Sequence, residues 1–402
     1  MVASGSRHTI PPVHNSPGVP RIIFQLTEQD ILGYQYVVVS KYDKKLEFSP
    51  PYDSQKYLHP KPNFLTLITK FILKWTPYRL RKLKYGFTQP DRIVYYKAVI
   101  KKAKKVNPDI VVTTMHIELF KLLQKALPNS KHIYFFRSTD LKGRIGDDNI
   151  DFLLKYSSGF LANTQAPIDE LRSIKPDIAF PMATIYNAVP KVTLSVEEQK
   201  NISTAFRQRF GLKNADFVIG YAGRFSEEKS LMELFEALKK IKDEGIIIHL
   251  VIAGDISNEN SPNHPYYNLL MDYKEKYLQG LVHLAGWITN VDLYNFYCAL
   301  DVGVVLSKYR EGNSMFLIEA MSYGVPVIAT AIGGNKEIIS HNKNGILIGL
   351  DAMSDDLVRS ITLLYKDSSK HQIFSDNARN YVIENHSKEN MIGLFDDFIN
   401  KL

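Results

Sequence analysis

From Ile110 onward, short β-branched and aromatic runs alternate with helical stripes, and this alternation limits the chain to a parallel α/β architecture. In the first half, strands are predicted at 110–113, 133–136, 160–163 and 184–186, with helical patterns at 118–126 and 167–174. The pattern breaks at Asn187-Ala-Val-Pro190 and restarts with a strand at 217–222. Leu231, Leu234, Phe235, Leu238 and Ile241 then mark one face of a helix, because residues three and four apart share a side. Further strands are expected at 247–253, 282–284, 302–306, 325–330 and 345–348. Each half therefore predicts an open, doubly wound sheet, whose ligands bind among loops at the carboxyl ends of the strands.

At 402 residues the chain exceeds one ordinary core, and two domains of roughly 150–200 residues are expected. The boundaries read as a first domain at 1–190, a polar linker at 191–212, a second domain at 213–375 and a closing helical segment at 376–402. With two such sheets, the cleft between domains is the default site. Val2-Ala-Ser4 is short for a first strand, so either that strand is stunted or the chain begins late. Cys298 is the only cysteine, which excludes a disulfide within the chain and favours a reducing, cytoplasmic compartment. The first residues lack the apolar stretch of a signal peptide, and no segment reaches the roughly 20 apolar residues that a membrane span requires.

The densest chemistry lies at Glu311-Gly-Asn-Ser-Met-Phe-Leu-Ile-Glu319-Ala-Met-Ser-Tyr-Gly324-Val-Pro326-Val. Asn313 and Ser314 are good N-cap residues and predict a helix that starts there. Its first free N–H groups, near Met315 and Phe316, would face the same opening as Glu311, while Glu319 sits rather more than a turn inside. A phosphate on the helix end, with two carboxylates gripping hydroxyl groups around it, is the layout of a sugar-nucleotide site. Upstream, Arg224 follows a predicted strand and Gly223, and Lys229 comes near the next helix start. Both cations can meet one diphosphate: Arg224 offers a planar fork, Lys229 a mobile point charge. A cation opposes the helix dipole at that end, which argues that Lys229 does more than decorate the surface.

Four signatures in order carry a family resemblance: Gly220-Tyr-Ala-Gly223-Arg224 with Lys229; His283-Leu-Ala-Gly286-Trp287; the Glu311/Glu319 pair with Gly324-Val-Pro326; and Gly333-Gly334-Asn-Lys-Glu337 with Asn344-Gly345. Together they resemble the donor-binding domain of retaining glycosyltransferases of family 4, the glycosyl transferases group 1, which have the GT-B architecture of two Rossmann-like domains. The first half matches more loosely, through Pro108-Asp109, Leu161-Ala-Asn-Thr164 and Ile185-Tyr-Asn187. The resemblance implies that the first domain binds the acceptor, the second binds the nucleotide-sugar, and 376–402 crosses back to the first. It gives Glu319 the ribose hydroxyls, Glu311 the donor sugar and reacting centre, and Arg224 and Lys229 the diphosphate. Trp287 and Ile288 would lie near the base, and Asn313, Ser314, Met315 and Phe316 would line the donor site. In this family the leaving phosphate is thought to deprotonate the acceptor on the same face, so configuration is retained without the two carboxylates of a double displacement. No cofactor is implied, since the donor, a UDP-sugar, is itself a substrate.

The chain also departs from the family. Asn313-Ser314 replaces the usual aromatic-glycine pair and reshapes the sugar pocket. A histidine that often ends a first-domain strand is replaced by Arg137, which suits an acidic acceptor or the diphosphate, or a salt bridge to Asp140. His116 is the other candidate there, although a lone histidine is more often structural. The first domain's glycine-rich loop survives only as Pro17-Gly18, where Gly18 would approach the diphosphate. No Asp-x-Asp pair or His/Cys cluster has metal-ligand spacing, so no metal is expected. The Asp396-Asp397 pair reads as solvated.

Between positions 61 and 105 basic residues recur (Lys61, Lys70, Lys74, Arg79, Arg81, Lys82, Lys84, Arg92, Lys97, Lys101, Lys102, Lys104, Lys105), with Asp91 the only acid and apolar residues interleaved. That composition suits an anionic membrane face; the plainer alternative is a solvated face over a core helix. No nucleic-acid motif accompanies it. The expected protein is a cytoplasmic glycosyltransferase, peripheral on the inner face of the membrane, extending a lipid-linked or cell-envelope glycan. Two other classes fit the same architecture: an inactive GT-B partner protein, and a sugar-nucleotide epimerase.

Overall fold

The computed structural model describes residues 2–3, 18–27, 34–41, 56–60, 64–80, 89–254, 265–289, 292–309 and 311–402. Expectations that rest on Ser4, Pro17, Lys61, Arg81, Lys82 and Lys84 lie outside the described residues. The chain divides into two compact units, Asn187–Asn390 and Met1–Tyr186 together with Met391–Leu402.

The first unit carries a parallel sheet in the order β3-β2-β1-β4-β5-β6-β7. Its strands are β1 (Val2–Ala3), β2 (Val38–Val39), β3 (Tyr57–Leu58), β4 (Ile110–Thr114), β5 (Lys131–Phe136), β6 (Gly159–Ala162) and β7 (Met182–Thr184). β2 and β3 were not expected, and β7 begins two residues before the expected 184. β4 to β6 are buried along most of their length and mainly apolar, apart from Thr113, Thr114, Lys131 and His132, as burial on both faces requires. One cluster packs Val99, Val111, Leu119 and Leu123; another packs Phe120, Tyr134, Phe136 and Phe160.

The Lys388–Ile399 helix buries Phe395 and Phe398, and the Phe395 ring lies 6.5 Å from that of Tyr36. Asp396, expected in solvent, is buried on the same helix face region and is 7% exposed.

The second unit carries a parallel sheet in the order β10-β9-β8-β11-β12-β13. Its strands are β8 (Val218–Ala222), β9 (His249–Ala253), β10 (Val282–Gly286), β11 (Val302–Val305), β12 (Val327–Thr330) and β13 (Gly345–Ile348). The strand order reverses at the β8/β11 boundary, which makes that boundary the switch point where a doubly wound sheet opens a crevice. The Leu231–Asp243 helix turns Leu231, Leu234, Phe235, Leu238 and Ile241 into the core, as its stripe predicts.

Two boundaries differ from expectation. The stretch 191–212 is no plain linker: it holds a 13-residue helix, Val196–Gln208, with a full capping box between Ser195 and Glu198. Phe206 and Leu212 enter the second unit's core, and the buried Arg207 donates to the carbonyls of Ala299, Asn214 and Asp216 and to Asp301 Oδ2 at 2.8–3.0 Å. The Ser368–Asn385 helix also belongs to the second unit, because Ala378 and Val382 are buried in that core. The return to the first unit therefore falls at Met391 rather than at 376.

Candidate functional site

The loops that follow β8, β9, β10, β11 and β12 all leave the carboxyl edge of the second unit's sheet. Gly223 and Arg224 follow β8, and the Tyr221 hydroxyl donates to the Arg224 carbonyl at 2.7 Å. Gly254, just after β9, has its α-carbon so close to the Gly223 carbonyl that a β-carbon would collide with that oxygen, so only glycine fits. The chain then makes a tight turn at Glu227–Lys229 and passes through Ser230 at φ 53 into the next helix. This turn brings Lys229 back over the sheet edge.

Lys229 Nζ donates to Ser307 Oγ and to Glu311 Oε2, each at 2.8 Å, and Ser307 Oγ also donates to Glu311 Oε2. The three side chains form a closed triangle at the switch point between β8 and β11. It is anchored from the next loop: Thr330 Oγ1 donates to the Ser307 carbonyl at 2.7 Å, and the Gly334 N–H donates to the Glu311 carbonyl at 3.0 Å. Sequence reasoning found Lys229 and Glu311 but missed Ser307, whose type is too common to signal a role by itself. Arg224, on the same loop as Lys229, pairs with Glu228, and its side chain is 59% exposed.

The Met315–Ser322 helix starts where the sequence predicts, with Ser314 as N-cap, and ends at Gly324 with φ 74. Met315 and Phe316 open its first turn, so their N–H groups have no intrahelical acceptor. Glu319 is buried at 9% exposure on this helix and accepts a 2.5 Å hydrogen bond from the Tyr297 hydroxyl. Tyr297 is itself held by rings of Phe316 and Tyr323, with centroids 5.9 and 5.7 Å away. A carboxylate inside an apolar helix requires such a donor, because burial without one is costly.

Asn313, just before the helix N-cap, bonds Asn187. Its Oδ1 accepts from the Asn187 N–H at 3.0 Å, and its carbonyl accepts from Asn187 Nδ2 at 2.6 Å. The side-chain oxygen of Asn313, a residue expected to line the donor site, thus holds Asn187. Trp287 and Ile288 follow β10 at the sheet edge; Trp287 is half exposed, and Ile288 packs on the core.

Gly18, His116 and Arg137 belong to the first unit. Gly18 is the first residue of the Gly18–Thr27 helix. His116 is the N-cap residue of the Ile117–Ala126 helix, and its Nδ1 lies 2.9 Å from the Tyr96 hydroxyl. Met115, just before it, adopts φ 63, and its sulfur accepts the Arg137 N–H at 2.9 Å. The Arg137 guanidinium is buried over the Phe135 ring, and burial lowers its pKa to about 10.

In the basic segment, the Phe64–Trp75 helix exposes Phe71, Ile72 and Trp75, followed by exposed Tyr78 and Leu80; Trp75 is 78% exposed. Lys74 and Arg79 are exposed among them, and Lys70 pairs with Asp91 at 2.6 Å. The Pro90–Val106 helix instead buries Ile93, Tyr96, Val99 and Ala103 and leaves Lys97, Lys101, Lys102, Lys104 and Lys105 in solvent. No helix among the described residues is long and apolar enough to cross a membrane. Among the described residues, no three His, Cys, Asp or Glu side chains group as metal ligands.

Residues 203–381 match the family described as glycosyl transferases group 1. A lipopolysaccharide 1,2-N-acetylglucosaminetransferase of Salmonella typhimurium (strain LT2) is 22% identical over 321 residues, covering 79% of this chain and 80% of its own. The Anabaena Alr3699/HepE structure in complex with UDP-glucose superposes with a TM-score of 0.75 at 16% identity, covering 100% of this chain and 99% of its own. A glycosyltransferase structure from Rickettsia africae gives 0.74 at 19% identity, covering 100% and 98%. The fold is GT-B, with two Rossmann-like α/β units.

Proposed function

We propose that the protein is a retaining glycosyltransferase of family 4 that moves a sugar from a UDP-sugar to a lipid-linked or cell-envelope glycan. The observation that carries this reading is the Lys229–Ser307–Glu311 triangle at the switch point of a segment matching the group 1 transferases. The names of the relatives supply the rest: one acts on lipopolysaccharide, and one was solved with UDP-glucose.

In this reading Lys229, Arg224 and the first N–H groups of the Met315–Ser322 helix neutralise the diphosphate, with Gly223 allowing close approach. Glu319 grips the ribose, Trp287 and Ile288 flank the base, and Glu311 orients the donor sugar. The bond from the anomeric carbon to the diphosphate oxygen breaks as the acceptor oxygen attacks the same face. The acceptor's proton passes to the leaving phosphate, which gains the electron pair, so no carboxylate nucleophile and no metal enter the scheme. Preorganised cations aimed at that developing charge supply the largest share of the rate. His116, Arg137 and Gly18 are assigned to the first unit's part in substrate binding.

We place the protein peripherally on the cytoplasmic face of a membrane. The exposed Phe71, Ile72, Trp75, Tyr78 and Leu80, interleaved with Lys74 and Arg79, support this assignment. Apolar side chains would enter the headgroup boundary while each cation adds about 1 kcal/mol near anionic lipid.

Purified protein offered a panel of UDP-, GDP- and ADP-sugars tests the reading. Release of UDP with an envelope glycan acceptor, slowed about 10²–10³-fold by Lys229→Ala, is expected. Donor binding without turnover would favour an inactive partner protein, and conversion of the sugar-nucleotide without acceptor would favour an epimerase.

A further inference from the structure

We infer that Asn187 and His386 are positioning residues that hold the Glu311–Gly312–Asn313–Ser314 loop in its donor-binding shape, an assignment that rests on the donor reading above. The three partners form a buried polar relay: Asn187, Asn313 and His386 are 4%, 5% and 1% exposed. His386 Nδ1 lies 2.8 Å from the Asn187 carbonyl. A carbonyl only accepts, so Nδ1 carries the proton and donates. Asn187 passes the connection on through two bonds, from its N–H to Asn313 Oδ1 and from its Nδ2 to the Asn313 carbonyl. Since a backbone N–H only donates, the Asn313 amide can take one orientation alone, with its oxygen toward Asn187. The Val189 N–H donates to the His386 carbonyl at 2.9 Å, which keeps the two ends of the relay in register.

This arrangement grips Asn313 by main chain and side chain together. The loop's other end is held at the Glu311 carbonyl by the Gly334 N–H. Only Gly312 lies between these anchors. Glycine is the residue with the most backbone freedom to lose, so a loop built on it requires fixing if Glu311 is to meet a sugar without an ordering cost. Inside the protein, where the local dielectric is low, these hydrogen bonds are stronger than in water, although Asn313 Nδ2 is buried without a partner. Neither Asn187 nor His386 is assigned contact with the donor; both act through Asn313.

Glu311 is the group of this loop assigned to the sugar, whereas the UDP portion is assigned chiefly to Arg224, Lys229 and Glu319. The first N–H groups of the following helix, which its own backbone holds, add to the diphosphate's share. The test therefore measures binding of UDP and of the UDP-sugar that the wild-type protein accepts, by calorimetry on the full chain. Asn187→Ala is expected to weaken the UDP-sugar about tenfold while changing UDP by less than about twofold. His386→Phe should do the same, and His386→Asn, which keeps an N–H donor toward the Asn187 carbonyl, should restore wild-type affinity. The double variant Asn187→Ala/His386→Phe should be no worse than either single, because both cut one relay. Equal loss of UDP and UDP-sugar in Asn187→Ala, or no loss of either, overturns the assignment. If Asn187→Ala does not fold, the contrast between His386→Phe and His386→Asn decides the same question. If the wild-type protein binds neither ligand, the donor reading fails first and this assignment falls with it.

Discussion

Lys229 Nζ stands 2.8 Å from Glu311 Oε2, although the two residues come from loops after different, neighbouring strands, β8 and β11. Their side chains are 24% and 12% exposed, so the pair is screened less than a surface salt bridge. Lys229→Ala is expected to lower kcat about 10²–10³-fold, the usual penalty for removing a donor that stabilises developing negative charge. Ser307→Ala keeps both charges and loses only their shared hydroxyl, so a smaller fall, about tenfold, is expected. Steady-state transfer assays check both; a Ser307→Ala effect larger than that of Lys229→Ala would contradict the assigned roles.

Glu319 depends on the Tyr297 hydroxyl for its 2.5 Å hydrogen bond. Tyr297→Phe preserves the ring packing but takes one donor from a buried carboxylate. Unfolding in urea should show a loss of about 1–3 kcal/mol, and the KM for the proposed UDP-sugar should rise with little change in kcat. Unchanged stability and KM would show that the bond matters to neither.

His386 gives a pH dependence of known sign. Burial pulls its pKa from 6.5 down to about 4, outweighing the bond to the Asn187 carbonyl that opposes the shift. Between those values the unfolded chain binds the proton and the folded one does not. Stability from this group is therefore complete above pH 6.5 and is lost as pH falls toward 4, by about 3 kcal/mol. His59, His132, His249 and His283 are also lowered by burial and slope the same way. Comparing wild type with His386→Asn isolates the one contribution; identical pH slopes in the two proteins would refute it.

Arg207 is 5% exposed and satisfies three carbonyls as well as Asp301, which also accepts from the Val218 N–H at 2.7 Å. Arg207→Met removes the cation and leaves the carboxylate and carbonyls without it. A destabilisation of about 3–5 kcal/mol is expected, because breaking a buried pair from one side strands the other charge. Calorimetric melting checks this, and a change below about 1 kcal/mol would mean that water replaces the guanidinium at no cost.

Replacing Phe71, Trp75 and Tyr78 by serine should abolish co-flotation with vesicles that contain anionic lipid. Since these side chains are exposed, the folded protein should keep its melting temperature and its UDP affinity. Flotation that survives the triple change would move membrane contact elsewhere.

Much of the second unit is written in short-range pattern. The apolar runs of β8 to β13 and the stripe from Leu231 to Ile241 each report their own burial, so these elements were legible, whereas the sheet order was not predicted. Glu311, Glu319 and Lys229 stood out because charged residues beside apolar strands and helices are unusual. Their partners did not stand out. Ser307 and Tyr297 are ordinary residue types, and Asn187 reaches Asn313 from 126 positions away, a relationship no local window contains. β2 and β3 were missed because two-residue strands carry no measurable alternation. The Val196–Gln208 helix was missed for a different reason. Its Ser195–Glu198 capping box was in plain view, but its polar face masked the fact that Phe206 and Arg207 are the residues it buries.

The membership of Met391–Leu402 in the first unit has a consequence for biosynthesis. A ribosome makes nearly the whole second unit before it supplies the helix that carries Phe395 and Phe398 to the earlier one. The domain begun first is thus the one completed last, and during translation it must wait with part of its interior uncovered. Loss of that helix would then injure the N-terminal half, the part encoded farthest from the lesion.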